Sequence, residues 1–219
     1  MQCVVTAGPT FEPLDAVRRL TNFSTGRLGS RLAEFLTARG HDTTLLIGEQ
    51  ARLSAPDGER PLLQVQTFTT TTDLRDRLRA LAARSVDAVF HAAAVSDFAF
   101  GKICQRSPDA EWVEVKRGKI PSRAGALLAE LLPTPKILPE LRQWFPRARL
   151  IGWKYEVEGD RAEVIRLARQ QIAECQTDAC VANGPAYGAG FGLVPAAHPF
   201  TPLPDAAALC EALEQFIRQ

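Results

Sequence analysis

Apolar residues recur along the chain in two alternating rhythms. Short apolar runs, the mark of strands, take turns with stretches in which apolar residues return every three or four positions, the mark of helices. Cys3 to Thr6 reads as a short buried strand, and Leu28 to Ala38 as a helix with Leu28, Leu32, Phe35 and Leu36 at helical spacing, closed by Arg39-Gly40. Thr43 to Ile47 and Leu63 to Phe68 follow as strands, and Thr72 to Arg84 as a helix with Leu74, Leu78 and Leu81 on one side. Asp87 to Val95 is apolar enough to be a central strand covered on both faces. Further on, Pro135 to Trp144 reads as a helix, Arg149 to Tyr155 as a strand, and Asp160 to Cys175 as a helix with an aspartate near its start. Asp178 to Ala182 reads as a strand and Asp205 to Ile217 as a closing helix. Between 98 and 123 the rhythm fails. Prolines, glycines and a brief strand-like Glu111 to Lys116, set between two Gly-Lys-Ile triplets, predict a flap or hairpin inserted at the sheet's edge.

This alternation predicts an α/β fold, a Rossmann-like, mostly parallel sheet with helices on both faces, in a single domain over 1–219 with a flap over roughly 98–123. Such sheets bind ligands outside the carboxyl ends of their strands. Chemistry is therefore expected in the loops after the first strand, after Asp87 to Val95 and after Arg149 to Tyr155.

Composition narrows the class of partner. The 219 residues are 46% hydrophobic and 23% charged, with a formal net charge of +1, so no global positive field points to nucleic acid or an acidic membrane. Five lysines, at 102, 116, 119, 136 and 154, stand against twenty-one arginines. The five cysteines, at 3, 104, 175, 180 and 210, form no CxxC pair, and His41, His91 and His198 are scattered, so neither a disulfide framework nor a resident metal is expected. The opening MQCVVTAG enters a strand directly and no later apolar run reaches membrane-spanning length, so a cytoplasmic protein is expected.

Between the first strand and first helix the chain reads TAGPTFEPLDAVRRLTNFSTGRLGSRLAEFL. A dinucleotide fingerprint would turn tightly from strand to helix, whereas about eighteen residues separate Gly8 from Gly26, and no GxxxxGK[ST] pattern is present. Ser24, Thr25 and Gly26 lie where the helix begins, so a phosphate could dock on its free amides; a plain Ser/Thr cap would leave the same trace.

Taken together, Thr6 to Gly29 resembles the signature TAGGTxEPIDPVRxIxNxSSGxMG of the phosphopantothenoylcysteine synthetase family. Further segments resemble that family in order: His91 to Asp97 (AAAVAD in the family), LLPTPKIL from Leu131 to Leu138 (LxPTPDIL), LIGWKYE from Leu150 to Glu156 (LVGFxAE), DACVAN from Asp178 to Asn183 (DLIVAN), and GFG at Gly190 to Gly192. The resemblance implies a carbon–nitrogen ligase of coenzyme A biosynthesis. It would use CTP, or ATP as in eukaryotes, with Mg²⁺, to activate the carboxylate of 4′-phosphopantothenate as an acyl-nucleotide, from which cysteine's amine displaces the nucleotide. It also implies a homodimer paired through the irregular segment and a separate decarboxylase acting in the same synthesis.

Residue by residue, the resemblance implies that Asn22 touches the acyl intermediate and Arg18 the phosphopantothenate or its carboxylate. An amide that both donates and accepts, and a planar guanidinium, suit those tasks. Lys119 would close over the intermediate from the flap, with Lys102 as a second candidate for that register. Ala93 and Asp97 would line the nucleotide pocket, Asp97 as acceptor for a hydroxyl or ligand for Mg²⁺, alongside Pro135, Ile137 and Leu138. Trp153 replaces a family phenylalanine that packs on the nucleotide, and a core role stays equally open for it.

The chain also departs from the family. The KxKK motif is reduced to Lys119-Ile-Pro-Ser-Arg123, and two lysines that reach the triphosphate are replaced by Gln171 and Cys175. Lys136 stands where the family has an aspartate, and Lys136, Arg123 or Arg169 could compensate. Two alternatives to the synthetase therefore remain: a divergent nucleotide-binding ligase acting on another carboxylate, and a non-catalytic binding relative.

Overall fold

A computed structural model describes residues 1–51, 61–107, 111–115, 118–121 and 125–219. The first strand, β1 (Gln2–Ala7), alternates its side chains between two cores, as the period of two requires. Cys3, Val5 and Ala7 face one side and Val4 the other. Beside it lie β4 (Asp42–Gly48) and, on the opposite flank, β6 (Ala88–His91), both parallel to it. The sheet grows outward through β5 (Leu63–Phe68) on one side and through β10 (Arg149–Tyr155) and β11 (Ala179–Asn183) on the other, all parallel. Two antiparallel strands, β12 (Phe191–Pro195) and β13 (Thr201–Leu203), complete the order β13-β12-β11-β10-β6-β1-β4-β5.

Helices cover both faces. On one, α1 (Arg27–Ala38) and α5 (Ala206–Arg218) bring Leu32, Leu36, Leu209, Leu213 and Phe216 against Val5, Phe90, Ile151 and Val181. On the other, α2 (Thr71–Leu81) and the short α3 (Leu141–Trp144) bury Leu74, Leu78 and Leu141 against Val4, Leu46, Val89 and Leu150. On that same face α4 (Arg161–Cys175) sets Val164, Ala168 and Ile172 on Cys180, Ala182 and Val194. Each fully buried large side chain contributes about 1.5–3 kcal/mol. Three of them, α2, α4 and α5, start on side-chain caps at Thr70, Asp160 and Asp205, which accept from backbone amides of their own first turns.

A second, three-stranded antiparallel sheet stands apart from the first: β7 (Phe98–Arg106) in the middle, flanked by β8 (Trp112–Glu114) and β9 (Leu127–Pro133). A small ribbon, β2 (Phe11–Pro13) with β3 (Arg19–Thr21), rises from the loop after β1.

Four expectations are corrected. The strand expected over Asp87 to Val95 stops at His91, because Ala93 N turns from the ladder to Thr6 Oγ1 at 3.0 Å; Ala94 then pairs with Pro9 in a single parallel bridge, its amide donating to Gly8 O at 3.0 Å. Their apolar character serves packing, since Ala93 and Val95 rest on the cluster beneath α2 and α3. The irregular segment is not an edge insertion: it leaves from the carboxyl end of the central strand β6 and forms its own sheet, which continues to Pro133. The helix expected over Pro135 to Trp144 is only a 3-10 turn, Leu138–Glu140, followed by α3. Pro139, which has no backbone N–H to donate, sits at the start of the 3-10 turn, where none is needed, and not inside a longer helix. Finally, β12, β13 and the ribbon were not anticipated, because glycines and prolines interrupt their alternation.

Candidate active site

The two halves of the main sheet diverge between β1 and β6, so the crevice for a ligand opens at their carboxyl ends. The loop after β1 and the loop after β6 are stitched together across it. Thr10 N donates to Ala94 O at 3.1 Å, Ser96 N to Thr10 Oγ1 at 2.8 Å, and Asn22 Nδ2 to the carbonyls of Ala94 and Val95 at 3.3 and 3.0 Å. With its two donors engaged, Asn22 keeps its Oδ1 as acceptor on an exposed side chain. The loops nest because glycines permit it: a Cβ on Gly48 would sit 2.3 Å from Pro9 O, and Gly26, at φ 74°, packs on Gly8.

Gly26 also decides how α1 begins. It caps the helix in left-handed backbone with no side-chain hydrogen bond, and Thr25 Oγ1 reaches only Arg27 N, at 3.4 Å. The Ser/Thr cap left open by the sequence is therefore not built, and Ser24 contributes a backbone turn to Asn22 O instead.

Next to this corner, a cavity of about 480 Å³ lies over the ends of β6 and β10. Ala93, Asp97, Pro135, Ile137, Leu138 and Trp153 all line it. Thr134 N donates to Asp97 O at 3.0 Å and its hydroxyl to Ser96 O, which fixes the segment 134–138 against the loop after β6. Trp153 packs on the cluster beneath α1 and α5 and also borders the cavity. Its buried indole N–H has no hydrogen-bond partner among the described residues.

The floor of the cavity holds a group that sequence reasoning passed over. His91 lies at the last position of β6, and Thr6 Oγ1, 3.0 Å from its Nδ1, already accepts the amide of Ala93. The hydroxyl, with one proton and two lone pairs, fits either role toward Nδ1, so this contact holds in either neutral tautomer of the His91 ring. Burial lowers its pKa to about 4, so the imidazole is neutral. Lys154 was also missed; it lines the cavity and pairs with Glu156 at 3.0 Å. The available signal for both residues was position alone, at the carboxyl ends of central strands.

The wall formed by α4 carries the departures. Gln171 folds over Gly152 and donates to Cys180 Sγ at 3.3 Å, and the buried Cys175 thiol is pushed upward in pKa by desolvation. Neither position presents a cation. Lys136 lines the cavity and forms an ion pair with Asp97, both side chains well exposed. Arg169 is exposed and does not line the cavity, and Arg123 lies outside the described residues. No cluster of three or more His, Cys, Asp or Glu able to hold a metal occurs among the described residues.

Arg18 and Lys119 lie elsewhere. Arg18 donates through Nε to Asp15 Oδ2 at 3.1 Å and through Nη2 to Ile120 O at 2.7 Å, so its fork is already engaged. Lys119 is exposed on the strap 118–121 that these bonds hold, and it does not line the cavity. Lys102 sits within β7, its amide donating to Glu130 Oε2 at 3.0 Å. The expected residues thus fall into a nucleotide group around the cavity and a flap group around the ribbon, with Asn22 bonded to the loop that borders the first.

Comparison with known proteins agrees with this architecture. Residues 1–197 match the family of the DNA/pantothenate metabolism flavoprotein C-terminal domain. The chain is 33% identical over 180 residues to the coenzyme A biosynthesis bifunctional protein CoaBC of Thermococcus kodakarensis, covering 82% of this chain and 40% of that protein. It is 33% identical over 190 residues to CoaBC of Bacillus subtilis, covering 86% and 42%. It therefore spans about two-fifths of the length of these relatives. The crystal structure of the DNA/pantothenate metabolism flavoprotein from Streptococcus pneumoniae superposes with a TM-score of 0.85 at 25% identity, covering 100% of this chain and 98% of that one. A Cab2 mutant, H337A, in complex with phosphopantothenate-cysteine shares the fold at a TM-score of 0.67 and 18% identity, covering 100% of this chain and 89% of that one. The chain belongs to the DNA/pantothenate metabolism flavoprotein C-terminal domain family.

Proposed function

We propose that the chain is a phosphopantothenate–cysteine ligase. The observation that carries this reading is the cavity over β6 and β10: six of the nine positions projected as nucleotide contacts converge on it from separate sequence segments, while Ser24, Thr25 and Gly26 lie outside its lining at the start of α1. In this reading the base and ribose lie against Ala93, Ile137, Leu138 and Trp153. The triphosphate runs toward the opening of α1, where Gly26 leaves the first turn without a side-chain cap and its amides can take phosphate oxygens. The phosphopantothenate carboxylate attacks the α-phosphate, forming an acyl-nucleotide and releasing pyrophosphate. Cysteine's amine then attacks the acyl carbon, an amide bond forms, and the nucleoside monophosphate leaves.

Asn22 Oδ1 accepts from the intermediate while its amide group stays on the loop after β6, an orientation set before substrate arrives. Lys119 supplies a compact positive charge to the phosphate and acyl oxygens as the strap meets the intermediate. Asp97 takes a ribose hydroxyl or joins the coordination of Mg²⁺ carried by the nucleotide, once Lys136 turns to the phosphates. CTP is the expected nucleotide, with ATP as the alternative. The partner molecules are a second copy of the chain, pairing through the three-stranded sheet, and the decarboxylase that takes the product. Phe98, Leu128, Leu131 and Leu132 are exposed on that sheet, consistent with a covered face in a dimer. A cytoplasmic location fits the five free cysteines.

The deciding experiment incubates the protein with phosphopantothenate, cysteine, Mg²⁺ and CTP or ATP in turn, and follows pyrophosphate and the amide product by mass spectrometry. Product with one nucleotide supports the reading, and its absence with every nucleotide overturns it. A second reading, a ligase for another carboxylate, is favoured by the cation-free α4 wall at Gln171 and Cys175. It predicts nucleotide binding, seen as a change in Trp fluorescence, without phosphopantothenate-dependent pyrophosphate. Silence toward every nucleotide favours a non-catalytic relative instead.

A further inference from the structure

The turn that joins β2 to β3 contains a carboxylate with no freedom left. Asp15 has a side chain only 1% exposed, and both of its oxygens are saturated. Oδ1 accepts from the amides of Val17 and Arg18 at 2.9 and 2.8 Å, which closes the turn. Oδ2 accepts from the Arg18 guanidinium and, across 105 positions of sequence, from the amide of Ile120 at 3.1 Å. Arg18 Nη2 completes the circuit by donating to Ile120 O at 2.7 Å, and Ala16 N donates to Gly118 O at 2.7 Å. The residue between these anchored neighbours is Lys119, and the Ile120 side chain is 2% exposed.

Both main-chain groups of Ile120 are therefore gripped by one ion pair. We propose that Asp15 is a positioning residue whose carboxylate, working through Arg18, docks the strap 118–121 on the turn between β2 and β3 and thereby fixes where Lys119 is presented. Arg18 is then the second half of a latch in this arrangement. The functional consequence rests on the ligase reading above; the docking itself does not.

The chemistry of the site says which change tests it. Each carboxylate oxygen faces two or more donors, so an amide at this position sets an NH₂ group against donors in either orientation. Asp15→Asn should release the strap while leaving the main sheet, which the turn does not enter, intact. The test follows hydrogen exchange of the peptide containing Ile120 in the full chain, together with turnover and nucleotide affinity. In Asp15→Asn, exchange at the Ile120 amide should rise by about tenfold or more, as expected when a local latch opens. Turnover should fall as far as in Lys119→Ala with nucleotide affinity unchanged. The double variant should be no worse than Lys119→Ala alone, since two groups acting through one contact are not additive.

Unchanged exchange at Ile120 overturns the docking role whatever happens to turnover, and additive losses in the double variant overturn the link to Lys119. If the wild-type chain forms no product, the ligase reading has failed, yet the exchange measurement still decides the docking. If Asp15→Asn fails to melt cooperatively, Arg18→Lys serves in its place. It keeps a charge beside Asp15 but loses the fork that spans Asp15 and Ile120 O, so faster exchange at Ile120 supports the latch and unchanged exchange removes it.

Discussion

The cavity and the strap are held by different physics. Ile137 is 2% exposed, and Ala93 and Leu138 rest on the cluster that also packs α2 and α3, so the cavity moves only if the core moves. The strap 118–121 meets the ribbon through one buried side chain, Ile120, and a handful of polar bonds to Asp15, Ala16 and Arg18. Dense apolar packing opens only with global unfolding, whereas a latch of hydrogen bonds opens locally and at small cost. On the ligase reading proposed above, a reaction that admits three substrates and then encloses an acyl-nucleotide needs both behaviours, a preformed binding surface and a piece that can come and go.

The largest effect that sharpens this contrast belongs to the cavity half. Phe90, fully buried on the central strand β6, packs between α1 and α5 on one face of the sheet that supports the cavity. Phe90→Ala should lower the unfolding free energy by about 3–5 kcal/mol, the range for an aromatic removed from a packed core. Urea unfolding measures this directly, and a loss under about 1 kcal/mol would mean the cavity floor is no more rigid than the strap.

His91 gives the next effect and carries a sign. Its pKa lies near 6.5 in the unfolded chain and at about 4 when folded, so below pH 6.5 the unfolded state binds the extra proton. Its contribution is fully present above about pH 6.5 and is lost as pH falls toward 4. Between pH 7 and pH 5 the loss amounts to about 2 kcal/mol. Urea midpoints for the wild type and His91→Gln at both pH values check it. The variant should lose less stability on acidification, and parallel slopes for the two proteins would remove the assignment of a neutral, buried ring.

The strap and its neighbour come third. Asn22→Ala and Lys119→Ala should each cut product formation by well over tenfold, about 1.4 kcal/mol or more of barrier, with melting temperature nearly unchanged for Lys119→Ala because its side chain is exposed. Near wild-type turnover in either variant would detach that residue from the reaction. A large drop in melting temperature for Lys119→Ala would show that the strap supports the fold, contrary to the division drawn above.

How far the sequence disclosed all this depends on how local each signal was. Leu63–Phe68 and Arg149–Tyr155 were readable as strands to the residue, and Asp160 and Asp205 as helix starts, because period and cap chemistry lie within a few neighbours. The second sheet was poorly readable: β9 runs LLAELLP with apolar residues on both of its faces, so no alternation marks it. Around the cavity, six residues were reachable through resemblance to family segments, while His91 and Lys154 offered no more than a strand-end position. Asp15 stands inside the family signature, but its task was beyond reach. In sequence it is an ordinary turn aspartate, and its decisive partner, Ile120, lies 105 residues away.

The smallest effect concerns Lys136, the point at which the two kinds of attachment meet. Its ion pair with Asp97 is solvent-exposed on both sides, so Lys136→Ala should change stability by less than about 1 kcal/mol. Its effect on ligand binding has a different cause. With Gln171 and Cys175 on the α4 wall, Lys136 and Lys154 are the only cations lining the cavity among the described residues. Removing one should weaken a nucleoside triphosphate about threefold, more than it weakens the nucleoside, and the difference should shrink with added salt because exposed charges are screened. Calorimetric titration of the wild type and Lys136→Ala with both ligands at two salt concentrations measures that difference. Tighter binding by the variant would reverse the conclusion: Lys136 would then act chiefly as a plug on Asp97, and the charge that answers the phosphates would have to come from the strap side, from Lys119, rather than from the cavity.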